Sequence, residues 1–380
     1  MTDIPVRPEM VRWAREHRGL TLEAAADKLS VPVNILASVE RGEQPVYIGL
    51  FKKLSARLKI PGPTLLRQTA PTVPPAPIDF RTLNGLNPSL GFETRIAISY
   101  AYTIEQNILE LIEAEAIPET PHLPLLRLRQ SPERAGEEER RRLGISNLKQ
   151  LAWRQKEAFR NWRTVIEAAG IYVILKKFPI KDCRGFTIYR RENAPIIVIN
   201  KAELFEPART FTLIHEYAHI LLRKPGMSDL DERNPVEAFC NKFASSFLMP
   251  HALIQDILPY WPDAPEEWSI HDLRDWARQL KVSQQALALR LEGLGIAPVG
   301  YYGRIVQQQI PVPKREGTGG DYVNTQVNEL GDKFTKNVIS AEQVRNIPSV
   351  EASDILDIAP RHFARITEQI ERQKQRVGVA

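Results

Sequence analysis

The chain of 380 residues holds only two cysteines, Cys183 and Cys240, and seven histidines. Two thiols exclude a disulfide-stapled scaffold and a zinc site made of cysteines alone, and they fit a reducing compartment. No run of eighteen apolar residues occurs, which excludes a membrane-spanning helix of ordinary length. The N-terminus, MTDIPVRPEM, lacks the apolar stretch of a secretory signal, so the expectation is a cytoplasmic protein with no membrane contact. Gly317-Thr318-Gly319-Gly320 is followed by no Gly-Lys-Ser/Thr, which excludes a phosphate-binding loop and leaves a flexible hinge.

What is present reads as several globular domains. Hydrophobic residues make up 43% and charged residues 26%, and the length exceeds what one core ordinarily serves. The net charge is +5, and residues 1–68 carry an excess of four positive charges. That asymmetry points to a nucleic-acid-binding module at the N-terminus.

The chain is organised around Phe211–Ile220, FTLIHEYAHI, in which His215, Glu216 and His219 form H-E-x-x-H. On a helix, positions four apart lie one turn above each other, so both imidazoles reach one metal ion. Glu216 stands beside them, placed to act on a metal-activated water as general base. The surrounding run of Phe211, Leu213, Ile214, Ala218, Ile220, Leu221 and Leu222 reads as a buried helix. A second helix starts at the Asn234-Pro235 cap and stops at Pro250, with Phe239, Phe243, Ala244, Phe247 and Leu248 as its core face. A hydrolytic zinc site needs a third protein ligand. Glu237 on this helix is the choice, with Asp229, Asp231 and Glu232 in the preceding loop as alternatives. Cys240, one turn from Glu237, reads as a small buried residue, with a metal or redox role as the alternative. Tyr217, His251, Tyr301 and Tyr302 are candidates for stabilising an oxyanion.

Upstream, residues 91–169 read as mainly helical, with a long apolar-periodic stretch over Ile96–Ile117 and a solvated helix start at Glu137–Arg142. Three short strands follow at 171–175, 185–189 and 195–200. Downstream, residues 268–296 read as a helical pair, with further helices near 323–340, 349–356 and 360–372.

Residues 8–67 read as four short helices: one ending at Gly19, one capped by Thr21, then Val33–Glu40 and Tyr47–Leu58. The pattern R-x-x-R-G-L-T-L-E-x-A-A-D-K-L-S-V…I-x-x-x-V-E-R-G closely resembles the helix-turn-helix of phage-repressor-like, Xre-family regulators. The resemblance implies that the third helix enters the DNA major groove, with Val33, Asn34 and Ser38 toward bases and Thr21 and Arg41 toward the backbone. Only Asn34 and Ser38 can hydrogen-bond base edges, which leaves a docking or dimerisation role for this module as the alternative.

A second resemblance rests on R-x-F-T-L-x-H-E-x-x-H-x-L-L together with E-x-x-x-N-x-F-A-x-x-x-L-M-P, over roughly Ile171–Pro250. The combination is similar to the ImmA/IrrE family of metallo-endopeptidases. It implies Zn2+ held by His215, His219 and Glu237, with Glu216 as general base. Cys240 departs from the family, which usually has Ala there. Members commonly cleave a partner repressor. The expected architecture is α+β: an all-α helix-turn-helix domain (1–68), a Pro-rich linker (69–90), a zincin-like peptidase domain with a small β-sheet and helices (91–300), and a helical C-terminal region (301–380). The expected function is a zinc-dependent endopeptidase and transcriptional regulator that cleaves a repressor. The alternative is a DNA-binding regulator, or an antitoxin with a cognate toxin, whose peptidase fold senses a ligand or partner with little turnover. Duplex DNA is the expected second partner, and a homodimer is compatible with both readings.

Overall fold

The computed structural model describes residues 3–71, 78–79, 90–191, 193–224, 226–228, 234–258, 269–308, 321–368 and 370. The chain divides into two compact units, Met1–Ala76 with Asn87–Tyr102, and Pro77–Leu86 with Thr103–Ala380. Most of the 69–90 linker, and all of Gly317–Gly320, lie outside the described residues.

In the first unit, β1 (Asp3–Ile4) pairs antiparallel with β2 (Val46–Tyr47). The helices are α1 (Pro8–His17), α2 (Leu22–Leu29), α3 (Val33–Glu40), α4 (Ile48–Leu58) and α5 (Gly62–Leu65). Local chemistry sets their ends. Thr21 Oγ1 accepts from the Ala24 amide at 3.2 Å, an N-cap bond, and Ser30 and Lys59 close α2 and α4 at positive φ. Val11, Ala14, Ala25, Ala26, Leu29, Leu36, Val39, Leu54 and Leu58 form the core. Two polar ties reinforce it. Arg15 donates through Nε and Nη2 to both oxygens of Glu40 at 2.7 and 2.9 Å, joining α1 to α3. Buried Arg18 donates to the Leu58 and Lys59 carbonyls, each at 2.7 Å, and so satisfies the end of α4.

In the second unit, β3 (Ile78–Asp79) is followed by α6 (Phe92–Glu113), within which the boundary between the units falls, then α7 (Pro132–Arg142), α8 (Asn147–Ala152) and α9 (Ala158–Ala168). Next come β4 (Tyr172–Lys176), β5 (Gly185–Ile188), β6 (Ile196–Asn200), α10 (Glu206–Leu221), β7 (Gly226–Ser228) and α11 (Pro235–Leu248). The chain continues through α12 (His251–Ile257), α13 (Ile270–Leu280), α14 (Gln284–Gly293), α15 (Tyr301–Gln308), α16 (Tyr322–Leu330), α17 (Asp332–Gln343) and α18 (Ser349–Ile355). The three strands expected from sequence form within two residues of their expected ends, and α11 starts at its Asn234 cap, whose Oδ1 accepts from the Val236 amide at 2.9 Å.

The sheet is mixed, in the order β3-β7-β5-β6-β4, with β4 parallel to β6 and β5 antiparallel to β6 and β7. β3 and β7 had no signal in the sequence, because strands of two and three residues show no periodicity. Alternation along β4 and β6 sends Val173, Leu175, Ile197 and Ile199 into the main core with Trp162 and Ile166 of α9 and Leu213, Ile214 and Tyr217 of α10. Tyr172, next in register, meets the Phe334 ring of α17 edge-on and accepts from Asn337 at 2.9 Å. The C-terminal helices are therefore part of the second unit's packing.

One expectation fails. The charged run Glu137–Arg142 is the C-terminal half of α7, and Glu139 and Arg140 are buried. Arg140 donates to Gln150 Oε1 at 2.6 Å and to the Phe247 carbonyl at 3.1 Å, so one face of the run is a buried polar clasp between α7, α8 and α11, while Glu138, Arg141 and Arg142 stay exposed. Gly136 permits the close crossing: a Cβ there would lie 2.6 Å from the Phe243 carbonyl oxygen.

Candidate metal centre and DNA-facing helix

The α10 helix begins with Glu206 and Pro207 in its first turn, where an acidic side chain and a missing amide are both tolerated. From Leu213 to Leu221 every residue is buried, so the helix runs through the core instead of lying on it. This forces His215, Glu216 and His219 inward, each with no exposed surface. The α11 helix packs beside α10 and brings in Glu237, also wholly buried.

The resulting geometry is compact. His215 Nε2 lies 3.1 Å from His219 Nε2 and 3.1 Å from Glu237 Oε2, while His219 Nε2 lies 3.1 Å from Glu237 Oε1. Donors around a tetrahedral zinc with bonds of about 2.0–2.1 Å stand roughly 3.3 Å apart, so each of these pairs has a spacing close to that of two donors on one ion. His219 Nδ1 is 2.8 Å from the Lys224 carbonyl. A carbonyl only accepts, so Nδ1 carries a proton, and in the neutral ring the Nε2 lone pair would face the centre. Asn241, one turn beyond Glu237, lies beside His215.

The electrostatics of the two histidines differ. Burial pushes the His215 pKa down, favouring the neutral ligand form. Burial pushes the Glu237 carboxyl up, but hydrogen bonds from both histidines outweigh it and hold the group at about 2. His219 is raised: burial opposes its charged form, while Cys240, Glu237 and Glu216 around it favour that form more strongly. His215, His219 and Glu237 stand close enough together to share one divalent ion, and His215, His219 and Cys240 form a group that could hold a metal. Asp229, Asp231 and Glu232, the alternatives for the third ligand, lie outside the described residues.

Strand β5 passes directly over Glu216. A Cβ on Gly185 would stand 2.9 Å from Thr212 Cγ2 and 3.2 Å from Glu216 Cγ, so glycine is what allows this approach. Tyr217 points away from the centre. Its hydroxyl donates to Glu139 and accepts from Arg142 at 3.2 Å, which commits it to the α7 interface and removes it as an oxyanion donor. Cys240, for which the sequence left a metal role open but favoured a small buried residue, also joins the site. Its Sγ lies within 4.8 Å of a ligand nitrogen on each histidine, in a fully buried His215–His219–Cys240 group. The helical spacing of Glu237 and Cys240 was the available signal.

In the first unit, Val33 and Asn34 at the start of α3 are exposed, Ser38 is half-buried, and Thr21 is exposed while capping α2. Arg41 is exposed but engaged, donating to both Glu43 oxygens at 2.6 and 2.7 Å. Lys53 and Arg57 donate to the Ser30 and Lys28 carbonyls at the end of α2.

Residues 166–292 match the family model for the IrrE N-terminal-like domain, Peptidase_M78, and residues 11–65 match the Helix-turn-helix model. No curated protein matches the chain. The fold and these matches define a DNA-binding type of regulator with a metallopeptidase-like domain. More particularly, the chain carries an N-terminal helix-turn-helix followed by an ImmA/IrrE-type peptidase domain. No helix of the described residues is long and apolar enough to cross a membrane.

Proposed function

We propose that this chain is a zinc-dependent endopeptidase that regulates transcription by cutting a partner protein in the cytoplasm, a DNA-bound repressor being the favoured substrate. The observation that carries the reading is the convergence of both histidine Nε2 atoms, 3.1 Å apart, on the Glu237 carboxylate, each 3.1 Å from one of its oxygens, with Glu216 next to them on the same helix. Zinc bound there would supply Lewis acidity and bring the pKa of a water from about 16 toward about 7. His215, His219 and Glu237 hold and orient the ion. Glu216 takes the proton of the attacking water and returns it to the leaving amine. The first unit would bind duplex DNA, with Val33, Asn34 and Ser38 toward bases and Thr21 and Arg41 toward phosphates, Arg41 exchanging Glu43 for a phosphate.

A second reading keeps the metal but gives the site little turnover, as in a sensing regulator or an antitoxin bound to its toxin. The complete burial of all four site residues favours it. The variant Glu216→Gln separates the two, because it retains size and hydrogen bonding but accepts no proton. Under the peptidase reading zinc stays bound, partner cleavage in cell extract falls by roughly 10²–10⁴, and target genes stay silent. A variant that binds zinc and regulates like the wild type sinks the proteolytic reading.

A further inference from the structure

Cys240 is a buried thiol that the proposed chemistry leaves unused. It sits on α11 one turn after Glu237, so both side chains leave the helix on one face, toward α10. Its sulfur lies within 4.8 Å of a ligand nitrogen on each of His215 and His219, and hydrogen-bonds with His219. The two histidines therefore face a carboxylate and a thiol at once. Thiolate is a strong zinc ligand, with a bond of about 2.3 Å. Three protein donors leave a position for water, whereas four close the shell, which is the difference between catalytic and structural zinc sites.

We propose that Cys240 is a fourth protein donor, so that the resting metal is held by His215, His219, Glu237 and the Cys240 thiolate with no position open for water. The inference rests on the metal-centre reading above. It makes the resting chain a latent peptidase. The thiolate must leave before a water or a substrate carbonyl can enter. It also accounts for the coexistence of an intact Glu216 with a site that has no exposed surface.

The test uses cobalt(II) as the probe in the full chain, stripped with a chelator and reconstituted. The expected wild type binds one cobalt per chain and shows thiolate-to-cobalt charge-transfer absorption in the near ultraviolet. That band is lost in Cys240→Ala, which still binds one cobalt, and persists in Cys183→Ala. Azide, a small anion that needs an open position, should shift the cobalt spectrum of Cys240→Ala and leave that of the wild type unchanged. Zinc affinity of Cys240→Ala should fall by at least the ~10-fold that losing even an outer-shell partner causes. One cobalt bound by the wild type with no thiolate band overturns the ligand role of Cys240 and leaves the three-donor centre standing. A thiolate band together with an azide shift in the wild type overturns the closed shell. No cobalt bound overturns the centre itself. Should Cys240→Ala misfold by circular dichroism, Cys240→Ser serves in its place, with the same loss of the band expected.

Discussion

The two units turn their chemistry in opposite directions. In the first, the groups proposed to meet a ligand, Val33 and Asn34, are exposed on α3, and the interior is aliphatics and alanines reinforced by the Arg15–Glu40 clasp and by Arg18 at the end of α4. In the second, His215, Glu216, His219 and Glu237 have no exposed surface and share the interior with the main core. An outward side chain answers to its ligand alone. An inward one must satisfy packing, hydrogen bonding and chemistry together, so very few residues fit. Removing structural residues should therefore break the first unit without touching the metal, and removing functional residues should do the reverse in the second.

The sharpest break expected is Glu40→Ala. It leaves the partly buried Arg15 guanidinium without the buried carboxylate of Glu40, a loss that approaches the ~3–5 kcal/mol of breaking a fully buried pair. Thermal unfolding of the full chain should show a lowered transition, with zinc content unchanged. Next, Glu237→Gln should lower zinc affinity by more than the ~100-fold upper range for outer-shell changes. Metal content after dialysis reads this, helix content should stay constant, and Asp231→Asn should do nothing. Glycines give an intermediate comparison. Gly185→Ala pushes a methyl against Thr212 and Glu216 and should cost about 1–3 kcal/mol, whereas Gly49→Ala meets nothing within 4 Å on exposed α4 and should be neutral or stabilising by up to ~1 kcal/mol. Equal effects would erase the claimed difference in packing. Asn34→Ala should change stability by no more than ~0.5 kcal/mol yet weaken binding to the preferred DNA site by about 1–3 kcal/mol, read by titration at fixed salt. Affinity equal to the wild type would remove Asn34 from base contact.

The smallest effect is a pH dependence in the first unit. Burial, with Arg18 and Arg95 nearby, lowers the His17 pKa from 6.5 to about 4, and the ring stacks on Trp13 at 5.0 Å. The folded state thus favours neutral His17, and the unfolded chain takes up the proton first as pH falls. Its contribution is complete above pH 6.5 and declines toward pH 4, softened by solvent around a half-exposed ring. A melting series from pH 8 to 4 should show this decline, flattened in His17→Gln.

Much of this was readable in the sequence where several constraints converged on few residues. H-E-x-x-H with its apolar context placed α10, and Asn234-Pro235 started α11 where the structure starts it. Thr21 marked the start of α2 and Gly19 the end of α1 for the same reason, as caps with one geometric solution. What escaped were contacts between distant segments. Nothing local in Glu139 or Arg140 tells that α11 will cover them, and the spacing of Cys240 from Glu237 put it near the ligands without telling that its sulfur faces both histidines. The short strand β7 and its partner β3 carry no pattern of their own, since tertiary pairing alone makes them strands.

The Lys224 carbonyl that fixes the His219 tautomer has an evolutionary consequence. A backbone oxygen is present whatever amino acid is encoded, so this part of the site has no codon on which selection can act. The residue at 224 is free to drift in charge and size as the surrounding surface adapts to a new protein partner. Only proline, which would remove the amide that donates to the His219 carbonyl at 3.0 Å, would disturb the turn. Orientation of the ligand is thereby insulated from change in the loop that follows it.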